Sequence, residues 1–244
     1  MCALGHYLEE EGIATVAVGL IRPQIENTRP PRALWVPFEL GRPFGPPNDP
    51  AFQKAVVLAA LRMLERADGP VALEDFPRDD PRERPDPSWR PPSARAAVGP
   101  DADGDAIADA LAREIDGLDG AYRRSVAERG RTTLGLSGLA IGQIGGYVGA
   151  WLRGQNPASP SAEMSAPLML RFAVDDLKAY CLEAALAGPA KPSSQQLADW
   201  LWNETVAGAA IQALRRDYRQ AEDDRLKLIA GNFLVPNLRV PAGG

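Results

Sequence analysis

Two rhythms of apolar residues divide this chain. Up to about residue 76, short apolar runs alternate with amphipathic stretches; from about Asp105 onward, nearly every apolar position falls on a helical period. In the first part, Ala3 to Glu11 predicts a short helix that Gly12 stops. Ile13 to Ile21 is a β-branched apolar run, the pattern of a strand buried on both faces. Arg32 to Val36 predicts a second strand ahead of Pro37. Asn48-Asp49-Pro50 joins a cap to a proline in the first turn and opens a helix over Ala51 to Arg66. Its Phe52, Val56, Ala59, Ala60, Met63 and Leu64 share one face, and Val71 to Leu73 predicts a last strand. Three strands make a small, incomplete α/β layer unit.

The second part predicts a helical bundle. Helices are expected over 105–115, 119–128, 139–152, 166–186 and 223–233. Ser193-Ser194-Gln195-Gln196 resembles a capping box, and it opens one long stripe of Leu197, Trp200, Leu201, Gly208, Ile211, Leu214 and Tyr218. Between the two parts, residues 77 to 100 hold seven of the chain's 23 prolines and almost nothing apolar. That composition cannot bury enough surface to fold by itself. The expected organisation is therefore α/β followed by all-α: an α/β segment over 1–76, a proline-rich linker over 77–101, and a helical bundle over 102–244.

Residues 132 to 152 require a membrane test, because they are uncharged and contain the spacings Gly138-xxx-Gly142 and Gly145-xxx-Gly149. Six glycines and Gln143 weaken the hydropathy, while Ile141, Ile144, Val148, Trp151 and Leu152 keep helical spacing. A buried, glycine-rich helix capped by Ser137 is the expected form, so no membrane partner is predicted. Acidic residues outnumber basic ones by 32 to 27, which disfavours a nucleic-acid backbone as partner. The amino terminus lacks a basic segment and runs into Glu9-Glu10-Glu11, and a cytoplasmic location is expected.

Candidate chemistry is sparse. Two distant cysteines make no disulfide framework, and a single histidine removes most zinc and histidine-based schemes. Cys2 opens the first helix, and His6 lies four residues on, one turn along the same face. A helix amino terminus favours thiolate, and a protonated imidazole beside it acts in the same direction. Cys181 falls on an apolar stripe, as a buried hydrophobe would. Asp175, Asp176 and Glu204 are the carboxylates a bundle metal site would use, although Glu204 on its stripe better fits a buried carboxylate paired with an arginine or a backbone amide. Leu139 stands where a nucleophile elbow around Ser137 would need glycine. Trp35, Trp151, Trp200 and Trp202 are candidate interface anchors, and Trp202, off the main stripe, is the one expected to be exposed.

Taken together, the cysteine-led helix, Gly12-Ile13-Ala14-Thr15-Val16, Leu40-Gly41-Arg42-Pro43-Phe44-Gly45 and the Ala-rich helix after Ala51 resemble one family. It is the carboxyl-terminal portion of selenoprotein B of the glycine, sarcosine, betaine and D-proline reductases, over about the first third of this chain. The resemblance implies reductive C–N bond cleavage, with Cys2 as reactive thiol, His6 assisting it, and a reductase partner subunit or dithiol donor. No cofactor is implied beyond a selenocysteine encoded upstream of Met1, which would make the chain an amino-terminally truncated relative. The chain itself has no selenocysteine and no Cys-x-x-Cys, so one thiol must work with thiols from elsewhere. The alternative expectation is a non-catalytic subunit or interaction module that docks such a partner.

Overall fold

The computed structural model describes residues 2–66, 71–92, 98 and 102–240. The chain divides into two compact units, Met1–Arg84 and Pro85–Gly244. The first is a small α/β unit and the second is helical.

In the first unit, α1 (Cys2–Glu10) ends where Gly12 takes a φ of 78° and Ile13 N–H returns to the Leu8 carbonyl at 2.8 Å. Such a left-handed turn closes the last carbonyls of a helix, and glycine enters it without a steric penalty. Strands β1 (Ala17–Gly19), β2 (Arg32–Trp35) and β3 (Ala72–Asp75) form a parallel sheet in the order β1-β2-β3. Ala17 pairs with Ala33, and Ala33 with Leu73. The central strand buries both faces, Ala33 on one side and Leu34 on the other. Helix α3 (Pro50–Met63) covers the side of Val18, Leu34 and Val36 with Phe52, Val56, Ala60 and Met63. Asp49 caps it by accepting the Phe52 N–H at 3.0 Å. Phe38, Phe52 and Phe76 form a triangle with ring centroids 5.5 to 5.9 Å apart, and the Arg78 guanidinium lies 4.7 Å above Phe52.

The run Ile13–Ile21 departs from expectation. Only three residues are strand, and Ile13 and Ile21 are exposed. The chain turns at Ile21 into α2 (Arg22–Thr28), which the pattern does not predict because Ile25 is its only buried residue. Ile25 reaches the sheet only because residue 19 is glycine: a Cβ there would stand 2.5 Å from Ile25 Cδ1.

The second unit contains α4 (Gly104–Arg129), α5 (Ile141–Leu152), α6 (Ala166–Ala185), α7 (Ser194–Glu204), α8 (Val206–Tyr218) and α9 (Asp224–Asn232). Helix α4 is continuous where two helices were expected. Gly117 and Gly120 lie on its exposed side, while Ile107, Leu111, Ile115, Leu118 and Ala121 carry the buried stripe straight through. Packing of that stripe outweighs the roughly 1 kcal/mol helix cost of each glycine. Conversely, the single stripe of 194–218 is broken into α7 and α8 at Thr205. Its hydroxyl accepts the Gly208 N–H at 2.9 Å and donates to the Leu201 carbonyl at 2.6 Å. Glu114 from α4 then accepts the N–H groups of Val206 and Ala207, both at 2.8 Å. A Cβ at Gly208 would fall on the Leu201 carbonyl oxygen, so glycine permits this tight corner.

Helix α5 begins only at Ile141, with Ala140 as its cap residue, so Ser137 is not the cap expected of it. Within the expected linker, residues 85–92 belong with the helical unit. Asp86 exchanges hydrogen bonds with Gln196 and accepts the Lys191 N–H at 2.9 Å, and Trp89 donates to the Ala185 carbonyl at 3.1 Å. Residues 77–84 of the expected linker belong instead to the first unit, with a 3-10 turn over Pro81–Glu83, and residues 93–97 and 99–101 lie outside the described residues.

Candidate functional site

Cys2 stands in the first turn of α1 and is half-buried. It lines a cavity of about 180 Å³ whose walls are α1 (Cys2, Leu4, Gly5, Leu8), the approach to β1 (Thr15, Val16, Ala17), Pro30 and Arg32. Arg32 opens β2, and its side chain is 17% exposed. One of its terminal nitrogens donates to Glu9 Oε1 at 2.5 Å, whereas its Nε is buried without an acceptor. Glu9 Oε1 also accepts the Thr15 N–H at 2.6 Å and the Thr15 hydroxyl at 3.0 Å. The Thr15 amide, and then the Arg32 guanidinium, hold the Glu9 carboxyl below its ordinary range. The cavity thus joins a thiol, an apolar wall and a fixed cation.

His6 is on α1 with Cys2 and partly buried, but among the described residues it makes no hydrogen bond to Cys2 and does not line the cavity. Cys181 is sealed in the helical core, where burial pushes its thiol well up, with Glu114 adding to the effect. Of the two thiols, only Cys2 has access to a cavity.

The three carboxylates weighed for a metal meet three separate surroundings. Asp175 pairs with Lys178 at 3.1 Å and lies 3.8 Å from Arg171. Asp176 is wholly buried and accepts the N–H groups of Gly135, Leu136 and Ser137 and the Ser137 hydroxyl, at 2.6 to 2.9 Å. Burial pushes its carboxyl up, and these four donors more than offset it, leaving it below its ordinary range. Glu204 is exposed at the end of α7, because the break at Thr205 turns it off the buried stripe; the buried carboxylate that accepts the backbone amides at that corner is Glu114. No group of three metal-ligating side chains occurs among the described residues.

Asp176 holds one wall of a second cavity, of about 430 Å³, lined by residues 135–139, Pro160, Ser161, Met164 and Met169. Ser137 there donates to Asp176 and accepts the Leu139 N–H at 3.2 Å, so its hydroxyl braces the loop. Trp202 is buried (8% exposed), not exposed as its place off the stripe implied: α7 is packed on both flanks, with Lys178 6.0 Å from the ring. Trp151 and Trp200 are core residues. Trp35 is half-buried, with its indole N–H on the Leu20 carbonyl at 3.3 Å.

The Glu9–Thr15–Arg32 cluster has no spacing signal in the sequence, since it joins three elements. Glu114 has one: it is a carboxylate on an otherwise apolar stripe. No helix among the described residues is long and apolar enough to cross a membrane. No family model, curated protein or solved structure matches the chain.

Proposed function

We propose that this chain is a component of a thiol- or selenol-dependent reductase that cleaves a C–N bond, with Cys2 as its reactive thiol and His6, one turn along α1, assisting proton removal. The observation that carries this reading is the cavity shared by Cys2 and Arg32, in a chain whose other thiol is sealed. The Cys2 thiolate attacks the carbon that bears the amine. A C–S bond forms, the C–N bond breaks, and the amine leaves with a proton. A dithiol donor then attacks the sulfur of the resulting thioether, releases the carbon fragment to be protonated, and is oxidised to its disulfide as Cys2 regains its thiol.

The test incubates the chain with glycine, sarcosine, betaine or D-proline, without and then with a dithiol, and follows Cys2 by peptide mass spectrometry. A thioether on Cys2 that the dithiol removes, and that Cys2→Ser abolishes, is the expected result. No adduct, together with iodoacetamide alkylation no faster than that of a free model thiol at pH 7, overturns it. That outcome favours the second reading, a non-catalytic docking module, which the exposed Val57, Leu58 and Leu61 on α3 support.

A further inference from the structure

Helix α1 is the one α-helix of the described residues that buries none of its side chains. Leu4 and Tyr7 are exposed, and on the inner side Cys2, Gly5 and Leu8 line a cavity, with close approach to the chain below only at Gly5, where a Cβ would stand 3.3 Å from Thr15 Oγ1 and 3.4 Å from Pro31. Apolar packing therefore does little to hold it. Its side-chain hydrogen bonds to the rest of the unit converge on one oxygen: Glu9 Oε1, near the end of α1, collects the Thr15 amide, the Thr15 hydroxyl and the Arg32 guanidinium. Charge-assisted bonds of this kind are about twice as strong as neutral ones. Just beyond Glu9, the chain turns through Gly12 at a φ of 78°, with nothing within 4 Å of where its Cβ would be. A helix with no fully buried residue, a cavity beneath it, one polar tether and an open glycine turn are the parts of a hinged lid.

We propose that α1 is such a lid, latched by Glu9 and hinged at Gly12, and that releasing the latch opens the cavity and presents Cys2 to molecules larger than the closed cleft admits. The lid does not depend on the reductase reading, and its readouts contain no turnover. Glu9→Ala removes the latch while keeping a strong helix former, so α1 itself stays formed. Amide exchange over residues 2–11 should then rise about tenfold or more, against unchanged exchange in α4 and α6. Labelling of Cys2 by a polyethylene-glycol maleimide should rise with it, and labelling by the small iodoacetamide should rise less; Cys181 stays silent because it is buried. Glu9→Gln keeps the accepting oxygen but not the charge and should fall between Glu9→Ala and the unmodified chain.

Wild-type exchange and labelling in Glu9→Ala overturn the proposal. The unmodified chain supplies a second test. If α1 is a lid, its amides exchange through an opening with a smaller denaturant dependence than that of Ala33 and Leu34 in β2. Equal dependence in α1 and β2 would mean that α1 opens only when the whole unit unfolds, and the lid would be wrong.

Discussion

The two units solve the same problem, how to fix chain ends and loops, by opposite means. In the helical unit the fixing groups are inside. Glu114, Asp176 and Glu183 are buried carboxylates, and each accepts N–H groups from a segment far away in sequence: Val206 and Ala207, residues 135–137, and Thr133. In the α/β unit the ion pairs lie nearer the surface: Arg22 with Asp75 and Arg66 with Glu74 are largely exposed and Glu9 with Arg32 is part-buried, although Asp80 is buried. The sealed part is centred on the sheet and the inner face of α3, with Ile25 of α2 buried beside it. A buried carboxylate that loses its donors is left desolvated and uncompensated, so it tolerates one arrangement only. A surface pair is exchanged for water at little cost. The helical unit is thereby held to one geometry, while the periphery of the α/β unit, where Cys2 sits, is free to adjust.

The strongest way to break this contrast is Asp176→Ala. It leaves three backbone N–H groups and the Ser137 hydroxyl facing a void, and it should destabilise the helical unit by about 3–5 kcal/mol. Urea unfolding followed by far-ultraviolet circular dichroism measures it; a loss no larger than that of a surface pair would erase the distinction. The same residue sharpens the contrast through pH. Its folded carboxyl is depressed, so its stabilisation is complete above the unfolded value, about 3.9, and disappears as pH falls through the lower folded value. Glu183, also depressed, acts in the same sense, because Thr132 and Thr133 outweigh its burial. Glu114 acts in the opposite sense, since burial raises it above its ordinary range despite the Val206 and Ala207 amides. Unfolding titrations between pH 2 and 6 should show the steepest acid loss in the unmodified chain and a shallower one in Asp176→Asn.

Next in size is Gly208→Ala. The added methyl meets a carbonyl oxygen fixed by the corner itself, so a cost of about 2–4 kcal/mol is expected, read as a lowered Tm. The smallest effect belongs to the α/β surface. Glu74→Gln should shift stability by less than about 0.5 kcal/mol, and by less still at high salt. A larger loss would show that the surface pairs of this unit do structural work after all.

Where local sequence and tertiary packing agree, the fold is legible. The caps at Asp49 and Ser193, the apolar face of α3, and the order of the three strands follow from short-range pattern. It becomes illegible where a distant group decides the outcome. Two helices were expected over 105–115 and 119–128, yet α4 runs through the gap because its buried stripe continues. Helix α2 lacks an apolar period and exists because Gly19 admits Ile25. At the candidate site, Cys2 and His6 are visible as residue types. The cavity, Arg32 and the Glu9 cluster are not, since they arise only when α1, the approach to β1 and β2 come together.

The corner at Thr205 bears on the order in which the helical unit assembles. Residues 194–218 carry one unbroken apolar period and also a capping threonine in its midst, so the segment holds instructions for a straight rod and for a bend. Glu114 adds two hydrogen bonds to the bent form across 92 and 93 residues of chain. A nascent chain in which α4 has not yet met this segment lacks that arbitration and can populate both shapes. The bend is therefore a late commitment: it is made when α4 docks, and it marks the passage from a collection of helices to a single native arrangement.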